Sequence, residues 1–195
     1  MKKLILIAIL GFGSVSLMAQ QDPMFTHYMF NTLSVNPGYA GSRDALTITG
    51  LGRFQWVGFE GAPITQTVTL HTPIIKPEFG LGLSVVNDQI GPLNATSFYA
   101  DFAYHLKVND RGHQLSFGLK GGGNMVSGNL SQLNTTQSGD NAFATDVPTQ
   151  FSPNVGFGMY YYTDKWYAGA STPRLLENNF ETGSTQKATV NRHYF

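Results

Sequence analysis

The side chains best suited to proton transfer or metal binding are five histidines, His27, His71, His105, His113 and His193. They are scattered, with no His-x-His or other paired spacing of the kind a zinc site uses. Asp101 and His105 fall on one face of an alternating segment, yet four strand residues set them about 13 Å apart, too far for a direct acid–base pair. Gly121, Gly122 and Gly123 are followed by neither Lys-Ser nor Lys-Thr, so they read as a bend in a curved strand and not as a phosphate cradle. The chain has no cysteine, which removes disulfides, thiolate nucleophiles and Cys metal sites. No catalytic, cofactor or metal residue is therefore assigned, and the expectation is a protein that is not an enzyme and has no small-molecule substrate.

Two polar residues fit a different role. Arg53 and Gln55 share one face of a segment whose other face carries Phe54 and Trp56. They read as residues lining the inside of a barrel, or as residues that hold an N-terminal segment there.

The elements that must position these residues show in the periodicity. Phe79, Leu81, Leu83 and Val85 oppose Gly80, Gly82 and Ser84. Phe98, Ala100, Phe102, Tyr104 and Leu106 oppose Ser97, Tyr99, Asp101, Ala103, His105 and Lys107, and Leu115, Phe117 and Leu119 oppose Ser116, Gly118 and Lys120. A period of two is strand spacing. Strands are expected also over 44–56, 64–72, 154–161 and 166–172, with an eighth starting near Val190; Leu51 and Gln66 break the alternation. The segments 127–150 and 173–188 read as long polar loops, and Asn87–Asn94 as a connector. On this reading the longer connectors follow strands one, three, five and seven, so they collect at one end, as in outer-membrane barrels. A lipocalin-like barrel alternates ends too, with its apolar face inward.

Two observations favour an apolar face turned to lipid. The small face of Gly80, Gly82, Ser84, Ser116, Gly118, Gly156 and Gly158 is too slight to fill a soluble interior. Charged residues make up 12% of the chain, where soluble domains carry about 25%. Lys plus Arg and Asp plus Glu are equal at 12 each, which points to no nucleic-acid groove. Trp56, Tyr104, Tyr161 and Trp166 stand near strand ends, where interfacial girdles lie. Arg53 must then face inward, because an Arg in lipid at mid-depth costs about 2–4 kcal/mol.

Residues 1–19 have the charged start (Lys2, Lys3), apolar centre and small-residue end of an export signal, with cleavage after Ala19. Residues 20–43 form a lead-in, in which Phe25, Tyr28 and Met29 share a helical face and Asn36, Pro37 and Gly38 make a turn. A packed plug or rim clasp is the expected use of its aromatics. Residues 44–195 form the barrel.

The runs Gln21–Asn31, Asn36–Ser42 and Arg53–Pro63 closely resemble the PorP/SprF family of the Bacteroidota type IX secretion system. The resemblance covers the mature chain in layout and is most specific over residues 21–75. It implies an all-β, antiparallel up-and-down transmembrane barrel of the outer-membrane type, in contact with outer-membrane lipid, other secretion components and secreted cargo such as adhesins. It implies no catalysis and no cofactor. The candidate contacts it marks are Asp22, Pro23, Tyr28, Phe30, Asn36, Pro37, Tyr39, Arg53, Gln55, Trp56, Gly61 and Pro63. Family members continue past Phe195, so about seven strands and the start of an eighth make an incomplete barrel. A passive porin-like channel is the alternative function.

Overall fold

Seven strands follow one another in sequence order as a single antiparallel meander: β1 (Thr47–Phe54), β2 (Ile64–Pro73), β3 (Phe79–Ile90), β4 (Leu93–Lys107), β5 (Gln114–Gly128), β6 (Val147–Tyr162) and β7 (Tyr167–Thr172). A separate hairpin pairs β8 (Asn178–Thr182) with β9 (Gln186–Val190). The computed structural model describes residues 28–74, 78–109, 112–132, 146–176, 178–182 and 186–190. The proposed export signal, Asp22, Pro23, Phe25 and His27 lie outside them, as does the segment 191–195 in which an eighth strand was expected.

The sheet is apolar where it is exposed and polar where it is buried. Ile48, Val68, Leu83, Val85, Phe98, Phe102 and Leu119 are exposed, with Leu83 at 56% and Leu119 at 60%. Thr65, Thr67, Thr69, Ser84, Ser97, Asp101, His105, Ser116 and Lys120, on the alternate positions, are buried. The pleat sends successive side chains to opposite faces, so one register sets both surfaces. This is the inverse of a soluble fold and the arrangement of an antiparallel barrel that meets lipid outside. The alternation absorbs both faults in the pattern: Leu51 is half-buried with Arg53, and Gln66 stands on the exposed face. Strands β4 and β5 are 15 residues long and β6 is 16, longer than the roughly 9–11 residues that cross a bilayer. No helix among the described residues is long and apolar enough to cross a membrane. With β1 and β7 as edges of the sheet, the described strands form an incomplete barrel.

Facing is directly testable. Leu83→Arg is expected to lower the stability of the folded barrel in vesicles by about 2–4 kcal/mol, read as a shift in the urea unfolding midpoint. On a soluble surface the same change would be within about 0.5 kcal/mol of neutral.

The connectors correct three expectations. The link between β3 and β4 is a two-residue turn, Gly91-Pro92, not a long connector over 87–94. Asn87 Nδ2 donates to Asn94 Oδ1 at 2.8 Å and to Thr96 Oγ1 at 2.9 Å, so polar side chains prolong the hairpin, and Gly91 turns it with φ +56°. The polar stretch 127–150 is regular at both ends, with β5 running to Gly128 and β6 beginning at Val147. At its base the Ser131 N–H donates to Asp146 Oδ1 at 2.9 Å, and this bond holds the Asp146 carboxyl below the ordinary carboxylate range. The stretch 173–188 is not loop throughout, since it contains β8 and the start of β9, and Val190 ends β9.

Residues 55–63, 129–132 and 146, which join β1 to β2, leave β5 and enter β6, stand at one end of the sheet, and 74, 78, 108–109, 112–113 and 163–166 at the other. Aromatic pairs mark the second end: Phe79 with Tyr104 at 5.3 Å between ring centres, and Tyr161 with Trp166 at 5.1 Å. Trp56 is exposed at the first.

Candidate functional site

What fills the concave, polar face of the sheet is the lead-in. It runs as a 3-10 turn (Tyr28–Phe30), one α-helical turn (Thr32–Val35) and a second 3-10 turn (Pro37–Tyr39). The Asn36 side chain accepts from the Gly38 N–H at 2.9 Å, and Pro37 occupies the first helical position, where its missing N–H costs nothing. These local bonds compact the segment enough to fit inside the curl.

Its contacts sweep across the sheet and back. Thr69 Oγ1 on β2 donates to Asn31 Oδ1 at 2.9 Å; Lys120 Nζ on β5 donates to the Leu33 carbonyl at 3.3 Å; Ser171 Oγ on β7 donates to the Val35 carbonyl at 2.8 Å. Asn36 Nδ2 then donates to the Met159 carbonyl on β6 at 2.9 Å. Returning, the Ala40 carbonyl lies 2.8 Å from His105 Nε2 on β4, and the Gly41 N–H donates to His71 Nδ1 on β2 at 3.2 Å. A single short segment thereby bonds to five strands.

Packing explains why the inner face is small. Gly80, Ala103, Gly118, Gly158 and Ser171 line up across β3–β7 in one row of the register. A Cβ at Gly80 would strike the Ala40 carbonyl, one at Gly118 the Pro37–Gly38 peptide, and one at Gly158 the Asn36 side chain. The lead-in backbone therefore lies directly on the sheet backbone. Leu33 is 1% exposed and packs over Gly82. The neighbouring row reads His71, Gly82, Asp101, Lys120, Gly156. There Lys120 Nζ meets Asp101 Oδ1 at 2.8 Å, with side chains 1% and 0% exposed, and lies 5.2 Å from the centre of the Tyr99 ring. The sheet lies on one side of this ion pair and Leu33, whose carbonyl accepts from Lys120 Nζ, on the other.

Of the residues singled out in the sequence, Asn36, Pro37 and Tyr39 are in this cradle, where Tyr39 meets His71 and Tyr160 edge-on. Arg53 is half-buried on the inner side of β1. Gln55, Trp56, Gly61 and Pro63 belong to the 55–63 connector, built on the bonds Gln55 N–H to Pro63, Phe59 N–H to Trp56 and Gly91 N–H to Gly61. Phe30 is exposed at 67%, and the backbone of Tyr28 lies in the first turn. Of the residues singled out, those that are described fall in the lead-in, on β1 and in the 55–63 connector, and Asp22 and Pro23 lie outside the described residues. Sequence reading missed His71, His105, Asp101, Lys120 and Ser171 as cradle residues. Their signal was their place on the inner face, but only the register shows that they meet one segment. Asp101 and His105 form no direct pair: Asp101 bonds to Lys120, and His105 Nδ1 lies 2.6 Å from Ser116 Oγ.

An antiparallel meander that is apolar outside and curls around its own N-terminal segment on the polar side has the make-up of an incomplete membrane β-barrel. The family model described as type IX secretion system membrane protein PorP/SprF matches residues 17–195, and the chain belongs to that family. No curated protein and no solved structure matches it.

Proposed function

We propose that this chain is an outer-membrane component of the type IX secretion and gliding apparatus that supports export or surface attachment of secreted proteins, such as adhesins, by binding partners. The observation that carries this reading is the lead-in seated on the inner face. Its backbone rests on Gly80 and Gly118 and its Asn36 side chain on Gly158, with no room even for a methyl group between, so the space that would conduct in a porin is taken up by the chain's own residues. A barrel so filled contributes an outer surface and loops. The end bearing residues 55–63, 129–132 and 146, with Trp56, Val57 and Phe59 exposed, is the docking end of this proposal, and lipid, secretion components and secreted cargo are its partners.

Planar-bilayer recording and affinity capture test it together. The full-length protein is expected to show conductance well below that of an open porin, while tagged protein captured from detergent-solubilised outer membranes retrieves secretion components or cargo. Steady porin-like conductance with no such retrieval would establish the passive channel instead.

A further inference from the structure

The peptide between Ala40 and Gly41 is gripped by two histidines from two different strands. His105 Nε2 lies 2.8 Å from the Ala40 carbonyl, which can only accept, so Nε2 carries the proton and Nδ1 accepts from the Ser116 hydroxyl at 2.6 Å. His71 has the opposite duty: its Nδ1 accepts from the Gly41 N–H at 3.2 Å and must be bare to do so. Between them Gly80 lies against Ala40 and Gly41, and Gly41 itself turns the chain with φ +75°. This is the lead-in's last hold before β1.

The two rings respond differently to a proton. A second proton on His105 goes to Nδ1, which then donates to Ser116 Oγ, and the bond to Ala40 survives. A second proton on His71 also goes to Nδ1, but there it turns an acceptor into a donor facing the Gly41 N–H. The groups around His71 would not offset that charge. From the lead-in side they are Tyr39, edge-on at 5.1 Å, and Arg43, which donates from Nε to Tyr39 Oη. Across β3 stands His105, and beyond it Tyr160 and Tyr162 of β6. The carboxylate in the same register row, Asp101, is paired with Lys120. Among the described residues no carboxylate forms an ion pair with either imidazole.

We propose that His71 makes the lead-in's last turn a pH-sensitive clasp, shut while its Nδ1 is bare and released when acid protonates it, with His105 as the anchor that stays. The clasp is present at neutral and alkaline pH and is lost as pH falls. It depends on the lead-in geometry and not on the secretion role.

The test uses the absence of cysteine in the chain. Ser42, next to the clasp, has a buried hydroxyl with no hydrogen-bond partner, so Ser42→Cys introduces a near-isosteric reporter. Its labelling by a water-soluble methanethiosulfonate in the full-length protein in outer-membrane vesicles is normalised to Lys165→Cys in the exposed β6–β7 turn. Between about pH 7.5 and about pH 5, where an imidazole charges, the normalised rate is expected to rise about tenfold, as for loss of one buried hydrogen bond. In a His71→Gln background, whose amide oxygen accepts without titrating, the rise disappears. A flat profile in the parent, or the same rise with His71→Gln, overturns the proposal. So does loss of the heat-modifiable folded band at the lower pH, because the clasp opens within an intact sheet.

Discussion

Lys120→Met is expected to destabilise the folded barrel by about 3–5 kcal/mol, because it leaves the Asp101 carboxylate buried and uncompensated. Asp101 has no second resource: Oδ2 has no hydrogen-bond partner among the described residues, and the 2.8 Å contact of Oδ1 is with Lys120 itself. The same substitution removes the donor to the Leu33 carbonyl, so the lead-in loses its hold on β5. Changing both members, Asp101→Leu with Lys120→Met, removes the uncompensated charge and is expected to recover most of the loss, since a buried ion pair contributes little net stability over an apolar pair of similar volume. Urea titration of the parent, both single variants and the double variant in vesicles completes the cycle. A single variant within about 1 kcal/mol of the parent would mean that water reaches Asp101, and that the lead-in does not seal this row.

The strands were legible because an apolar exposed face on one side and a glycine- and hydroxyl-rich buried face on the other give a strict alternation. Leu83 and Ser84, or Phe102 and Ala103, declare opposite faces from a few residues of sequence, and the exposed and buried sets follow them. The turn at Asn36-Pro37-Gly38 was legible for the same local reason, since Asn and Pro shape the backbone within three residues.

What sequence concealed was register. Gly80, Gly118 and Gly158 look alike in their own strands, and nothing local says that they form one row beneath the lead-in. His71 and His105 appear scattered along the chain and converge only because β2 and β4 flank Gly80. Spacing along one strand excludes His105 as the direct partner of Asp101, but only the register shows that Lys120 stands directly across the ladder from it. The β3–β4 turn was misjudged because Asn87, Asp88 and Gln89 have loop composition; cross-strand amide bonds keep them in the sheet.

Gly118→Ala and Gly121→Ala, three residues apart on β5, are expected to act in opposite directions. Gly121 faces outward with nothing within 4 Å of a Cβ built there, so the alanine only restricts the unfolded chain and is expected to stabilise by about 0.5–1 kcal/mol. At Gly118 the added methyl would overlap the Pro37 carbonyl carbon and the Gly38 nitrogen. Neither is the tip of a flexible side chain. Both are backbone atoms of a turn held by Asn36 to Gly38 and by Asn36 to Met159, so the methyl fits only if the whole turn lifts from the sheet. That displacement would break the Asn36 bond to β6, leave Leu33 over Gly82 poorly packed, and cost about 1–3 kcal/mol by overpacking alone, with the lost hydrogen bond in addition. Intrinsic strand preference would favour alanine equally at both positions, so the sign of the difference isolates the lead-in. Equal stabilisation at both sites, measured by urea midpoints in the same vesicles, would show that the inner face has room to spare and that the lead-in does not rest on it.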